Sequence, residues 1–177
     1  MGHKNREIEK KFVVPGVSYK DSVSILKNML TGVKEIKGVS MDCYWKAPKG
    51  IKADFVRLRY MPGDTSQLTV KYTDRKTTLD RVEIDVTVSE TDQAHKFMDQ
   101  IFGPSLGRIY KSYWVLVMDE KDTTVSVYQI KDDSRVFVEI EARSVSKVDR
   151  IEKQIRQTLN LEREYRSLYK VFLSKEK

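Results

Sequence analysis

The chain has 177 residues, with 33 Lys+Arg against 26 Asp+Glu and a formal charge of +7. That length suits one domain, residues 1–177, with a real core, and its periodic apolar runs exclude a disordered chain. No apolar stretch approaches the roughly 20 residues that cross a bilayer, and one cysteine with two histidines leaves no internal disulfide and too few ligands for a zinc site of the His/Cys type.

Alternation dominates the pattern, and period two with β-branched and aromatic residues reads as strand. The first such run is residues 7–13, closed by a Pro15-Gly16 turn. A helix is predicted over 18–31, carrying Val23, Leu26, Met29 and Leu30 at helical spacing, with Ser18 and Asp21 at its start. A weaker strand over 40–46 precedes clear ones over 54–60, 68–73 and 81–88, and Pro62-Gly63 ends the first of these clear runs. A second helix over 91–102 places Ala94, Phe97, Met98 and Ile101 on one side. Weaker strands over 108–118 and 123–130 lead to a clear one over 136–141. A third helix over 146–160 begins at Ser146/Asp149, with Val148, Ile151, Ile155 and Leu159 as its stripe, and a fourth covers 162–174. The expected class is α+β, with about eight strands joined by short connections that favour antiparallel pairing.

Successive strand side chains point to opposite faces. Each clear strand has an apolar side: Ile8 and Phe12; Val56, Leu58 and Tyr60; Val70 and Tyr72; Val82, Ile84, Val86 and Val88; Val138 and Ile140. The other side is charged: Glu7, Glu9 and Lys11; Arg57 and Arg59; Lys71; Arg81, Glu83 and Asp85; Glu139 and Glu141. An ordinary sheet, half covered and half solvated, is one reading. Two features weigh against it: carboxylates pair at i, i+2 on three strands, and helical stripes are available to cover the apolar face. Eight strands are enough to close a small barrel, whose lumen would then be charged. Such an interior needs pairing, hydration or a ligand. Cations suit phosphate oxygens, and carboxylates beside them call for a hard cation such as Mg²⁺ or Mn²⁺. Parity alone does not choose a closed tunnel over an open sheet.

Glu7-Ile8-Glu9-Lys10-Lys11 resembles the Glu-x-Glu-x-Lys signature of the CYTH group, the triphosphate tunnel metalloenzymes. The later order strengthens the likeness. Asp42-Cys43-Tyr44 resembles the family's Asp-x-Tyr strand and Val56-Arg57-Leu58-Arg59 its Arg-x-Arg strand. Lys71 stands where the next strand offers a lysine, and Arg81-Val82-Glu83-Ile84-Asp85 is similar to Arg-x-Glu-x-Glu. Phe137-Val138-Glu139-Ile140-Glu141 resembles Phe-x-Glu-Ile-Glu, and Tyr165-Arg166-Ser167-Leu168-Tyr169 the closing Ser-Tyr helix. The resemblance implies an eight-stranded antiparallel closed barrel with a charged tunnel, flanked by helices. It implies metal-dependent hydrolysis of tripolyphosphate, thiamine triphosphate or a nucleoside triphosphate. One branch, the class IV adenylyl cyclases, instead makes cyclic AMP.

Carried over, Glu7, Glu9, Glu139 and Glu141 would be the main metal carboxylates, with Glu83 and Asp85 in support. Lys11, Arg57, Arg59, Lys71 and Lys111 would hold the triphosphate, with Arg81 in addition. Lys11 would help position water, and Lys71 or an arginine would neutralise the leaving pyrophosphate. Three departures stand out: Lys111 is alone where the family carries a basic pair, and Tyr128-Gln129-Ile130 replaces an expected acid. The third is Asp132-Asp133-Ser134-Arg135 in place of a Leu-Gly turn. The expected partner is a small triphosphate compound and not a membrane, with the chain cytoplasmic and a monomer or homodimer. A cyclase, and a non-catalytic module for a signalling nucleotide or single-stranded nucleic acid, remain as alternatives. No G-x-x-x-x-G-K-[ST] or G-x-G-x-x-G occurs. His3 and His95 are expected at the surface, Cys43 packed on the apolar face, and the charge run over 147–156 in solvent. Large aromatics such as Tyr113 and Trp114 more often pack in a core than stack on a base.

Overall fold

The computed structural model describes residues 5–47, 49–50, 53–63, 65–73, 80–118 and 122–173, without the side chains of 5, 6, 73 and 80–82. His3 therefore lies outside the described residues. The elements run β1 (Asn5–Val14), α1 (Tyr19–Met29), β2 (Gly32–Trp45), β3 (Phe55–Tyr60), β4 (Ser66–Thr73) and β5 (Asp80–Val88). They continue α2 (Thr91–Phe102), β6 (Gly107–Met118), β7 (Thr124–Ile130), β8 (Val136–Ala142), α3 (Val145–Ile155), β9 (Glu162–Glu164) and α4 (Leu168–Phe172). The strands form one antiparallel sheet in the order β5-β4-β3-β2-β6-β7-β8-β1-β9, and β1 has an additional pairing with β5. Gly16 and Gly63, at φ 72° and 80°, make the two expected Pro-Gly turns, which need a left-handed residue. Among the described residues no helix is long and apolar enough to cross a membrane.

The chain divides into two compact units. The first comprises Met1–Arg6, Val39–Tyr110 and Arg166–Lys177; the second comprises Glu7–Gly38 and Lys111–Tyr165.

In the first unit, Cys43, Trp45, Val56, Leu58 and Met98 form a buried cluster, with Met41, Leu68, Val70, Ala94 and Phe102 against it. Burying side chains of this size contributes about 1.5–3 kcal/mol each. Cys43 is thus the small hydrophobe expected. Helix α2 turns Ala94, Met98 and Phe102 inward, one every four residues. Phe97 and Ile101, predicted on the same side, are instead exposed. His95 is half-buried rather than on the surface, its ring 5.1 Å from that of Trp45 and its Nδ1 3.3 Å from Asp99. Trp45 Nε1 donates to the same carboxylate at 2.9 Å. Ile84 and Val86 of β5 are each 54% exposed, contrary to the expectation of a covered apolar face. Alternation reports which residues share a face, not whether a helix reaches far enough to cover it.

The second unit packs α1 on β7 and α3 on β8. Leu26, Val148, Ile151 and Ile155 are buried, as are Ile8, Phe12, Val125, Val127, Val138 and Ile140 of the strands. Ser18 caps α1 as predicted, its Oγ 3.2 Å from Asp21 N. Helix α3 starts earlier than predicted, because the capping oxygen belongs to Ser144 and not Ser146. Its charge run is not wholly solvated: Lys10, on the helix-covered face of β1, donates to both Asp149 and Glu152 at 2.6 Å. Burial works against the Lys10 charge, but these two carboxylates outweigh it and raise its pKa; Glu152 is lowered despite its own burial.

Two elements differ in kind from the reading. The predicted helix over 162–174 is, in its described part 162–173, a short strand and then a short helix. Glu162–Glu164 pair with β1, Lys11 opposite Glu164 and Phe12 opposite Arg163, and Ser167 caps α4. Strand β2 begins at Gly32, not near 40. A Cβ at Gly32 would lie 2.7 Å from the Val117 carbonyl oxygen, so only glycine permits that close approach to β6.

Candidate functional site

In the first unit, the register puts Asp42, Arg59, Gln67 and Thr87 in one row across β2–β5. Tyr44, Arg57, Thr69 and Asp85 form the next, and Phe55, Lys71 and Glu83 a third. Arg57, Arg59, Lys71, Glu83 and Asp85 therefore share a face, as predicted. The Arg81 side chain lies outside the described residues. Asp42 is fully buried and takes Arg59 Nε at 2.8 Å and Nη2 at 3.1 Å. Burial opposes the Arg59 charge, but Asp42 outweighs it, and the guanidinium pKa is pushed above its ordinary value. Lys71 Nζ is paired with Glu83. Arg57 Nη2 donates to Thr69 Oγ1 at 2.9 Å, and Thr69 Oγ1 donates to Asp85 Oδ1 at 2.6 Å. The Arg57 Nε is buried and has no hydrogen-bond partner among the described residues. A buried donor left in that state costs about 1–3 kcal/mol, which an anionic ligand would offset. Tyr44 and Phe55 close one end of these rows, their rings 5.2 Å apart, with Tyr169 of α4 about 6 Å from each (6.1 and 6.0 Å).

The second unit has rows of its own. Glu9 faces Glu141, which faces Thr124. Glu164, Lys11, Glu139 and Ser126 make the next row, and Val13, Phe137, Tyr128 and Tyr113 the one after it. Lys11 Nζ is 3.3 Å from Glu139 Oε1, and the Tyr128 hydroxyl donates to the same oxygen at 2.8 Å. Thr124 donates to Glu141 Oε2 at 3.2 Å. Lys111, next along the same face of β6, has its Nζ 5.5 Å from the Tyr128 ring centre. Glu7 shares the parity of Glu9 and is half-buried. Trp114 is buried on the opposite face, its Nε1 donating to Glu35, which supports packing over base stacking.

Asp85 is exposed and Glu7, Arg59, Glu83, Glu139 and Glu141 are half-buried, but five of these charged groups are withdrawn from solvent. Relative exposure is 3% for Glu9, 2% for Lys11, 8% for Arg57, 7% for Lys71 and 9% for Lys111. A solvated sheet face does not bury its lysines and arginines.

The departures noted in the sequence now have positions. Gln129 turns to the other face and donates to the Asp133 carbonyl at 3.1 Å, leaving Tyr128 where an acid was expected. Arg135 clasps Asp133 in the turn, Nη2 2.6 Å from Oδ2. Polar groups of these rows to which the sequence reading assigns no role include Asp42, Thr69, Thr124, Tyr128 and Glu164. The i, i+2 pair Glu162/Glu164 had the same signature as the other carboxylate pairs, hidden by its position in a stretch that reads as helix.

Among the described residues, no three carboxylate, imidazole or thiolate groups are gathered closely enough to hold a metal as a protein-only cage. The donor chemistry still fits Mg²⁺ or Mn²⁺. Mg²⁺ characteristically takes one or two carboxylates together with water and phosphate oxygens. Glu9 and Glu141, opposite each other on one face, offer such a pair, and two adjacent carboxylates gain from a cation between them.

No protein-family model and no curated protein matches the chain. Solved structures do. A candidate adenylate cyclase from Vibrio parahaemolyticus is 14% identical, with 98% of this chain and 100% of that one covered and a TM-score of 0.74. A candidate adenylyl cyclase from Hippeastrum, described as having a dominant triphosphatase activity, is 15% identical, with 94% of each chain covered and a TM-score of 0.68. A chain of the Schizosaccharomyces pombe Mediator head module is 10% identical, with 88% and 97% covered and a TM-score of 0.69. At these identities the likeness shows the fold alone.

Proposed function

We propose that the chain is a Mg²⁺- or Mn²⁺-dependent phosphohydrolase acting on a triphosphate, with its sheet closed into a tunnel. The observation that carries this reading is the burial of Arg57 and Lys71 on the charged face of the first unit and of Glu9, Lys11 and Lys111 on that of the second. The additional pairing of β1 with β5 supports closure. In this reading Lys11, Arg57, Arg59, Lys71 and Lys111 contact phosphate oxygens, with Arg81 in addition. Arginine supplies forked contacts and lysine a point charge. Glu7, Glu9, Glu139 and Glu141 hold the metal; Glu83 and Asp85, expected in support, are engaged by Lys71 and Thr69. The bound ion would supply charge neutralisation at the phosphates and an activated water. Lys11, paired with Glu139, would help position the attacking water, and Lys71 would neutralise the leaving pyrophosphate. The likeness to a protein described as a cyclase keeps cyclic AMP formation as a second reading. Chromatography of the ATP reaction separates them: phosphate release marks the hydrolase, cyclic AMP with pyrophosphate the cyclase. Oligonucleotide binding that survives excess tripolyphosphate would favour a non-catalytic nucleic-acid module instead.

A further inference from the structure

Within the first unit, one hydrogen-bonded row crosses three strands, from Arg57 on β3 through Thr69 on β4 to Asp85 on β5. Thr69 is fully buried. A hydroxyl has one proton and two lone pairs. Its proton is committed to Asp85 Oδ1 at 2.6 Å, so its oxygen faces Arg57 Nη2, 2.9 Å away, only as an acceptor. Donation to a carboxylate makes that oxygen a stronger acceptor, as in any polarised chain of hydrogen bonds. The row thus has a fixed direction and ends on a guanidinium whose buried Nε–H has no partner among the described residues.

We propose that Thr69, backed by Asp85, is a positioning residue that fixes the rotation of the Arg57 guanidinium and leaves its Nε–H free for a phosphate oxygen. The identity of the anion rests on the function proposed above, whereas the holding of the guanidinium does not. Asp85 then acts through Thr69 and not as a metal ligand. Arg59 differs, since its Nε is already taken by Asp42.

The test combines nitrogen-15 spectroscopy of arginine side chains with calorimetric binding of tripolyphosphate, on the full chain. Arg57 signals are assigned by their loss in Arg57→Lys. In the wild type, hindered rotation should give separate Nη resonances for Arg57. Thr69→Val should merge them and weaken tripolyphosphate about tenfold, while Thr69→Ser retains both properties. Asp85→Ala, at an exposed position, should merge them too with Mn²⁺ affinity unchanged, and it serves if Thr69→Val fails to fold. Unchanged Nη resonances in Thr69→Val, or in Asp85→Ala alongside weaker Mn²⁺ binding, would overturn the proposal. Wild-type protein that shows the hindered rotation but binds no tripolyphosphate would sink the proposed substrate and leave the positioning standing.

Discussion

The Asp42 carboxylate grips the Arg59 guanidinium with both oxygens, 2.8 Å from Nε and 3.1 Å from Nη2, while itself fully buried. Tyr44, two residues on, adds a long hydrogen bond to the same carboxylate at 3.4 Å. Arg59 is therefore half of an ion pair before any ligand arrives. Removing one partner of a buried pair leaves the other charge uncompensated. Asp42→Asn, which keeps the shape, should lower unfolding stability by about 3 kcal/mol. Urea denaturation measures it, and a loss under about 0.5 kcal/mol would show that the pair contributes little.

Glu9 is buried and stands directly opposite Glu141 in the register of β1 and β8. Glu9→Gln, which keeps the shape, should abolish metal-dependent turnover with the fold retained, as circular dichroism and a cooperative melt would show. Near-normal turnover would remove Glu9 from the metal set. A folded variant with no turnover separates a site role from a structural one.

Lys71 is buried beside Glu83. Lys71→Ala should weaken tripolyphosphate binding about tenfold, since a charge-assisted contact is lost. Calorimetry reads the affinity directly, and an unchanged value would place Lys71 outside the phosphate contacts.

Much of this face was legible, because period two assigns parity without tertiary information. Glu9, Lys11, Arg57, Lys71 and Glu139 fall on the predicted side for that reason alone. The start of β2 was hidden because Val33, Ile36 and Val39 recur every three residues and are exposed, so backbone pairing rather than burial makes that strand. β9 was hidden because Glu and Arg favour helix, and pairing with β1 overrides that propensity. The exposure of Ile84 and Val86 depends on tertiary cover, which no local pattern encodes. Thr69 is silent for a different reason: a threonine in a strand is ordinary, and its role lies in its register partners.

On the helix-covered face, Lys10 bridges Asp149 and Glu152. Glu152 has its folded pKa lowered from 4.5, so its contribution is present above that value and is lost as pH falls through the lowered one. Lys10 is raised from 10.5, so its contribution is present below that value and is lost as pH rises through the raised one. Glu152→Gln should therefore flatten the acid limb of the stability profile below pH 4.5, with a loss at neutral pH of about 0.5–1 kcal/mol. Denaturant midpoints at a series of pH values measure this. An acid limb identical to wild type would mean that the bridge is not formed in solution.

Phosphate release from tripolyphosphate, thiamine triphosphate and ATP, measured with Mg²⁺, with Mn²⁺ and with chelator, bears most directly on the function. The expected result is release from at least one of the three in the presence of either ion, lost on chelation and in Glu9→Gln. No release from any of them with either ion would contradict it.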